Sequence, residues 1–429
     1  MRLICASLCL CGGLVAQAPD PSGDWVATIT TYGEEHVVRL KLEPHGGGVS
    51  GTIWGNKLEG TVTGSSIEFE CSNEEDHATK SCGHVSAKLT SDTMSGSGTL
   101  FGGPVQFGAQ RAPVQTATPK THEFIPTRYY RQFTGLTEPV LHINPGDTVK
   151  TKCVDAGGVD EKGEHQSQGG NPLTGPFYVE GAAPGDTLVV KLNRVRLNRD
   201  SAGIHSDSVV GSALSPWYVQ NMKRVKDFDS SWKLDRESGT ATLTKPTSHL
   251  RDLKIPLRPM MGCIGVAPSN RQAFQSGNLG EYGGNMDYNQ VTEGTTVYLP
   301  VFQLGALLFV GDGHATEGDG ELTGNALETS MEVEFTIDLI RGQSLGQPRF
   351  ENAEYMMVSG IGGSLSDALQ EATAGLSQWL EETYKLNTGE VAMLLGSSMR
   401  YDIAEVVDPK VHVVAKLPKS ILSQIVKDE

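Results

Sequence analysis

The first part of the chain is divided by turn residues, and between the turns its apolar side chains recur at every second position. The alternating runs lie at 25–29, 37–42, 49–54, 58–62 and 67–69, separated by glycine, asparagine or serine. A period of two is typical of half-buried β-strands, and no helical spacing interrupts it. The sequence therefore predicts a small antiparallel β-barrel or sandwich over 19–112. Because this region gathers no catalytic residue types, we interpret it as an accessory module.

A second, longer unit follows a linker at 113–121 that is rich in proline, threonine and alanine. Within 122–429 the tetrapeptide Pro-Gly-Asp-Thr occurs at 145–148 and again at 184–187, each time before a valine-rich run. Proline fixes φ and glycine admits positive φ, so this tetrapeptide is typical of a turn that starts a strand. We therefore predict a mainly β unit, rich in β-sandwich structure.

One clear helix is predicted in the C-terminal region, over 366–385. Ser366 is its candidate N-cap, and Asp367 suits the positive end of a helix. Leucine or alanine at 369, 372, 376 and 380 forms an apolar stripe, which we interpret as core packing.

The charge balance narrows the possible partners. The 429 residues include 35 Lys and Arg against 51 Asp and Glu, which gives a formal net charge of −16. Phosphate groups of nucleic acids and anionic membrane surfaces are bound by clustered cations, so neither partner is expected. An acidic chain suits a neutral small substrate or a bound cation.

The first eighteen residues resemble a secretory signal. Arg2 precedes an apolar run at 3–15, and Ala-Gln-Ala at 16–18 is a small-x-small cleavage site. A lipoprotein signal around 8–11 is the alternative, but Leu10 is large where a small residue is preferred. We expect a secreted or periplasmic protein that has no membrane segment after cleavage.

Four cysteines remain outside the signal: Cys71, Cys82, Cys153 and Cys263. Oxidising compartments permit disulfides, and Cys71 and Cys82 form the better pair because they lie in the same small module. Cys153 and Cys263 are either bonded or buried, and the sequence leaves that choice open.

The most informative segment is 311–321, which contains four carboxylates and one histidine and follows a buried-strand pattern. Asp312 and His314 are two residues apart, so an extended strand points both side chains to one face. Carboxylate oxygen and imidazole nitrogen are common ligands of zinc and similar ions. Glycines in the segment allow Asp319 and Glu321 to fold back to the same place. The alternatives are a solvated acidic hairpin and a structural calcium loop, although the spacing does not match the twelve-residue calcium pattern.

Three further segments suit a site more weakly. Gly-Gly-Asn-Met-Asp at 283–287 allows close backbone approach and adds Asp287 as an oxygen ligand. Val-Asp-Ala-Gly-Gly at 154–158 adds Asp155. The apolar, glycine-interrupted segment 258–268 is typical of a pocket wall.

Taken in order, "NPLTGPFYVEGAAPGDTL", "RPMMGCIGVAP", "GGNMD" and "TEGTTVYLPVFQLGALLFVGDGHATEGDGE" resemble the acetamidase/formamidase family over about 122–420. The resemblance implies a β-sandwich-rich fold, hydrolysis of short amides such as formamide or acetamide, and a metal in the site. Three groups of site residues are expected: the metal ligands Asp155, Asp287, Asp312 and His314, the proton carrier Glu321 or otherwise Glu317, and the substrate-binding Gly265, Gly284 and Asn285. The chain departs from the family at Tyr282, where many members have histidine, and at Cys263, where an aliphatic residue is common.

The sequence therefore predicts a metal-dependent amidohydrolase that releases ammonia from small linear carboxamides. Zinc is the expected ion and calcium the alternative. A homodimer is expected from the symmetry common among oligomers. The rival hypothesis is a secreted, calcium-stabilised β-rich binding protein without turnover. Metal removal would abolish turnover in the enzyme, but in the binding protein it would reduce only stability.

Overall fold

A computed structural model describes residues 19–46, 48–75, 78–112, 118–204, 206, 208–223, 225 and 228–426. The predicted signal at 1–18 and residues 113–117 of the predicted linker lie outside these ranges. The chain divides into two compact units, Met1–Ala112 and Pro113–Glu429.

Unit one is a closed antiparallel barrel of eight strands. The strands are β1 Gly23–Thr31, β2 Glu34–His45, β3 Gly48–Ile53, β4 Asn56–Thr63, β5 Ser66–Glu75, β6 Ala78–Leu89, β7 Thr93–Leu100 and β8 Gly103–Arg111. Pairing of β1 with β8 closes the barrel, with Trp25 opposite Arg111. The alternating apolar residues point inward, so Trp25 and Phe69 are buried in its core. A disulfide joins Cys71 of β5 to Cys82 of β6, which confirms the predicted pair.

Unit two contains twenty-one strands in its described part. They are β9 Thr121–Glu123, β10 Gln132–Thr134, β11 Leu141–Ile143, β12 Thr148–Cys153, β13 Leu173–Val179, β14 Thr187–Leu197, β15 Ser201–Gly203, β16 Ser231–Asp235, β17 Thr240–Leu243, β18 Ile255–Pro256, β19 Met260–Gly265, β20 Ala273–Gln275, β21 Leu279–Gly280, β22 Gly283–Asn285, β23 Thr296–Pro300, β24 Leu308–His314, β25 Met331–Ile340, β26 Arg349–Glu351, β27 Tyr355–Gly362, β28 Arg400–Glu405 and β29 Val411–Pro418.

Two large sheets share the core of unit two. One has six strands in the order β11-β13-β24-β19-β22-β21, and the other has nine in the order β28-β29-β27-β26-β23-β14-β25-β12-β9. Phe177 of β13 meets Phe335 of β25 edge-to-face, with ring centroids 5.4 Å apart. Smaller sheets, β15-β16-β17-β18 and β10-β20, complete the unit. The mainly β, sandwich-rich fold class is thus confirmed.

The two Pro-Gly-Asp-Thr turns start strands as predicted. β12 begins at Thr148 and β14 at Thr187, the last residue of each tetrapeptide. Gly146 and Gly185 have φ of +90° and +93°, values that residues with a Cβ rarely adopt.

The sequence predicted one helix in the C-terminal region, but the described residues form three helices there, so the predicted number was wrong. The described helices are α1 Pro216–Asn221, α2 Leu365–Tyr384, α3 Thr388–Ser398 and α4 Lys419–Leu422, besides 3₁₀ turns at Gly211–Ala213 and Ser269–Arg271. The predicted helix corresponds to α2, but its N-cap is Ser364 instead of Ser366, and Leu369 is exposed. The capping box of Asn387 and Glu390 starts α3, which buries only Val391 and therefore has little apolar periodicity. No described helix has the length and apolarity needed to cross a membrane.

Helix α2 covers the outer face of the nine-stranded sheet. Its Ala372 and Leu376 pack with Val358 of β27 and Ala415 of β29. Met357, the neighbour of Val358 on β27, belongs instead to the core shared by the two large sheets. This alternation gives unit two three layers, in the order six-stranded sheet, nine-stranded sheet and helices.

Candidate active site

Strand β24 is buried along its whole length and carries the predicted Asp312 and His314. It pairs with β13 on one side and β19 on the other, so its backbone is fixed inside the six-stranded sheet. Asp312 Oδ1 lies 3.5 Å from His314 Nε2, which brings the two polar groups together as the spacing predicts. The backbone of Asp312 has φ of +56°, an uncommon value for a residue with a Cβ and one that clusters at functional sites.

Asp287 reaches the same place from the segment after β22. The ligand atoms of Asp287, Asp312 and His314 all lie within 4.8 Å of one another, and all three residues are buried. Gly262 of β19 leaves the space between them. A Cβ at Gly262 would lie 2.5 Å from Asp287 Oδ1, 2.9 Å from Asp312 Oδ2 and 3.0 Å from His314 Cε1.

A second group shares the same histidine. His314, Glu321 and Glu328 offer ligand atoms within 4.8 Å of one another. Glu328 Oε2 lies 3.4 Å from His314 Nε2. Glu328 was not predicted, because it is an isolated carboxylate in the chain and reaches the site only through its bridge pairing with His314. We refer to Asp287, Asp312, His314, Glu317, Glu321 and Glu328 as the acidic cluster.

Glu317 holds the histidine ring from the other side. The His314 Nδ1–H donates to Glu317 Oε2 at 2.9 Å, with both side chains almost fully buried. In the neutral tautomer that donates from Nδ1, Nε2 carries the lone pair and lies near Asp312 and Glu328. A carboxylate behind a histidine is the usual support for a metal-binding imidazole.

Burial and mutual repulsion perturb every acid of the cluster for which a shift is resolved. Burial first, and then the neighbouring Glu321 charge, raises the pKa of Asp287 well above its usual range. Burial raises the pKa of Glu321 to about 9, and those of Glu317 and Glu328 to about 7. Burial alone would lower the pKa of His314, but the Glu328 and Asp312 charges outweigh it and raise that pKa. Five carboxylates around one imidazole therefore require shared protons or a bound cation.

Asp287, Asp312 and His314 form the first group of the acidic cluster. Each of them has one polar atom bound to the protein and one without a hydrogen-bond partner. Asn285 donates to Asp287 Oδ2, and Asn171 donates to Asp312 Oδ2 at 2.8 Å. Among the described residues, Asp287 Oδ1, Asp312 Oδ1 and His314 Nε2 are buried without a hydrogen-bond partner. Buried polar atoms are normally satisfied, so three such atoms at one point form a donor set to which a ligand would bind.

The three predicted substrate-binding residues have other contacts in the structure. Asn285 lies behind Asp287 and also donates to Asp408 Oδ2 at 2.8 Å, so it positions a cluster residue. Gly265 and Gly284 are required by close strand packing. A Cβ at Gly265 would lie 2.6 Å from Gly284 N, and one at Gly284 would lie 2.3 Å from Asn278 O.

Asp155, the fourth predicted ligand, lies outside both metal-competent groups. Its Oδ2 accepts from Arg199 Nη2 at 2.5 Å, and its Oδ1 accepts from the Val159 N–H at 2.8 Å. The guanidinium already neutralises this carboxylate, so Asp155 does not belong with the ligands Asp287, Asp312 and His314. Sequence reasoning missed Arg199, because it lies 44 residues away along the chain and no local pattern links it to Asp155.

Cys153 and Cys263 are free and buried. Burial raises the pKa of Cys153 to about 12 and that of Cys263 well above its usual range. The thiolate is the nucleophilic form, so neither cysteine has the environment of a catalytic nucleophile.

The family model described as "Acetamidase/Formamidase family" matches residues 126–278 and 276–424, well over half of the chain. The acetamidase of Mycolicibacterium smegmatis is 29% identical over 217 residues, covering 40% of this chain and 53% of the relative. The formamidase of Methylophilus methylotrophus is 24% identical over 260 residues, covering 47% and 61%. The matches thus span little more than half of these relatives. The crystal structure of an acetamidase from Yersinia enterocolitica superimposes with a TM-score of 0.62 at 28% identity, covering 72% of this chain and 95% of that one. This protein belongs to the acetamidase/formamidase family.

Proposed function

We propose that the protein hydrolyses the C–N bond of small linear carboxamides, of the formamide and acetamide class, and releases ammonia at the acidic cluster. Membership of the family and the names of the relatives support the reaction class. The observation that carries the site is the convergence of Asp287 Oδ1, Asp312 Oδ1 and His314 Nε2, each buried without a hydrogen-bond partner. Nothing in the comparisons supports the rival hypothesis of a binding protein without turnover.

The residues of the first group fit a divalent cation. Two carboxylate oxygens and one imidazole nitrogen form a donor set that suits zinc, whereas calcium prefers oxygen ligands alone. Asn285, Asn171 and Glu317 fix the three side chains from behind, as supporting partners of metal ligands do. When bound, the ion supplies Lewis-acid polarisation of the amide carbonyl and lowers the pKa of water.

Glu321 is the better proton carrier of the two acids first considered. Glu317 is occupied by the His314 Nδ1–H, whereas Glu321 is 7% exposed and offers a carboxylate oxygen within 4.8 Å of a His314 ring nitrogen. Burial raises the pKa of Glu321 to about 9, and the positive charge of a bound ion would lower it. In its carboxylate form Glu321 then removes a proton from the attacking water and delivers it to the amide nitrogen. The C–N bond then breaks and ammonia leaves; the carboxylic acid that remains gives its proton to the ammonia, so that the products are carboxylate and ammonium.

The proposal is tested by ammonia release from formamide, acetamide and propionamide, combined with elemental analysis of the purified protein. We expect turnover of at least one amide and a near-stoichiometric content of divalent metal. Chelation should abolish turnover, and adding the metal back should restore it. Chelation that leaves turnover unchanged would remove the metal from the reaction. A protein that loses only thermal stability on chelation would instead favour the binding-protein hypothesis.

We also propose that the protein is exported and dimeric. The signal pattern at 1–18 and the disulfide between Cys71 and Cys82 support export, because disulfides persist in oxidising compartments. The homodimer rests on common oligomer symmetry alone. N-terminal sequencing of the mature protein and light scattering test these two points.

A further inference from the structure

A cavity of about 540 Å³ lies between the nine-stranded sheet and the C-terminal end of α2. β26 contributes Arg349 and Glu351 to its wall, and α2 contributes Trp379. None of its lining residues belongs to the acidic cluster. Cavities of this size hold small organic ligands in many proteins.

The cavity lies on the helix-covered face of the nine-stranded sheet, whereas the acidic cluster is built around β24 of the six-stranded sheet, which packs on the other face. Successive strand residues point to opposite faces, so Phe350 points away from the cavity that Arg349 and Glu351 line. The Phe350 ring packs against Tyr288, with centroids 5.4 Å apart, and Tyr288 follows Asp287 directly in the chain.

Arg349 is the main polar group of the cavity. Its side chain is 8% exposed, and its Nη1 donates to Glu382 Oε2 at 3.1 Å. The guanidinium lies 5.1 Å from the Trp379 ring centroid, which holds its plane in place. The Glu382 side chain is 61% exposed and therefore compensates the buried charge only weakly.

Two cations and two carboxylates line the wall, and Lys419, which pairs with one of those carboxylates from outside the wall, brings the local count to three cations against two carboxylates. Glu351 is paired with Lys419, whose Nζ lies 3.2 Å from Glu351 Oε2. Lys385, exposed at the end of α2, adds a second cation to the wall. Beside these cations, the rings of Tyr298 and Trp379 meet edge-to-face at 5.9 Å and form an apolar wall.

We propose that this cavity binds a small organic monocarboxylate, with the carboxylate at Arg349 and Lys385 and an apolar body against Tyr298 and Trp379. A guanidinium presents donors in a planar fork that matches a carboxylate, which selects this anion over a neutral molecule of the same shape. The site is separate from the acidic cluster and does not depend on the proposed amide hydrolysis.

Benzoate and benzamide make a matched pair of probes, because they share a ring and differ in charge. Calorimetric titrations are run on chelator-treated full-length protein, so that no amide is turned over during the measurement. We expect saturable benzoate binding, and benzamide binding weaker by at least about tenfold, the scale of a lost charge-assisted hydrogen bond. Arg349→Met should weaken benzoate binding by a similar factor.

Lys385→Gln tests the second cation of the cavity, and Lys254→Gln is its matched control. Each variant removes one exposed lysine, but only Lys385 lines the cavity. We expect a few-fold loss of benzoate affinity in Lys385→Gln and none in Lys254→Gln. This comparison tests carboxylate binding in the cavity even if Arg349→Met fails to fold. Equal affinity in Lys385→Gln and Lys254→Gln, equal affinity for benzamide, or the absence of saturable binding would overturn the proposal.

Discussion

Replacing Gly262 by alanine tests whether the first group of the acidic cluster converges on an ion. The glycine is not in the positive-φ region, so alanine adds a methyl group without backbone strain. That methyl would lie 2.5 Å from Asp287 Oδ1 and 2.9 Å from Asp312 Oδ2, so both carboxylates must shift. A metal site tolerates deviations of about 0.2 Å in its metal–ligand distances. A misplacement of catalytic groups by about 1 Å lowers the rate on the order of 100-fold. We expect Gly262→Ala to lose most of its metal and about 100-fold in kcat/KM, or about 3 kcal/mol.

The assay combines ammonia release, elemental analysis and the thermal midpoint. Gly277→Ala is the matched control, because a Cβ there meets no heavy atom within 4 Å and its φ is not positive either. It should keep wild-type metal content and activity. A Gly262→Ala protein that is folded, fully metallated and fully active would refute the convergence of Asp287, Asp312 and His314 on one ion.

Further predictions concern the proton carrier, the buried thiol, the barrel and a buried histidine. Glu321→Gln should keep its metal but lose about a hundredfold to ten-thousandfold in kcat; loss of the metal by elemental analysis would make Glu321 a ligand. Cys263→Ala should keep most ammonia release, and a thousandfold loss would reinstate a thiol nucleophile. Deletion of 19–112 should leave a soluble, active enzyme, because unit two has its own core; insoluble expression would contradict this. His412 donates from Nδ1 to Met286 O and accepts from Ser359 at Nε2, and burial lowers its pKa to about 4. The unfolded chain therefore binds more protons between about pH 6.5 and 4, and up to about 3 kcal/mol of stability is lost as the pH falls through that window. Urea unfolding should show the advantage of wild type over His412→Gln shrinking across it, and a pH-independent difference would refute the assignment.

The barrel could be predicted from the sequence because its signal is local. Strands of unit one such as β1 and β4 alternate between the filled interior and solvent, so period two appears directly in the sequence. Helix α3 was missed because it buries one side chain and carries glycine at 389 and 396, which leaves no stripe to detect. Its capping box was the available signal.

The site was predictable only where neighbouring residues determine it. Asp312 and His314 come together because they are two apart on one strand, whereas Glu328 arrives through a pairing that the chain order does not reveal. The chain order also does not reveal that Arg199 neutralises Asp155, so Asp155 was predicted as a ligand although it is paired elsewhere. Gly262 was included only in a segment interpreted as a pocket wall, although its missing side chain leaves the space at the centre of the cluster.

Closure of the eight-stranded barrel has a consequence for how the protein behaves at high concentration. An open sheet ends in strands whose free N–H and C=O groups can template aggregation. Pairing of β1 with β8 occupies those groups, and Gly23 and Arg111, the ends of the closing strands, lie on neighbouring strands. The module is therefore protected against edge-to-edge association, and its adjacent ends make it a good candidate for circular permutation.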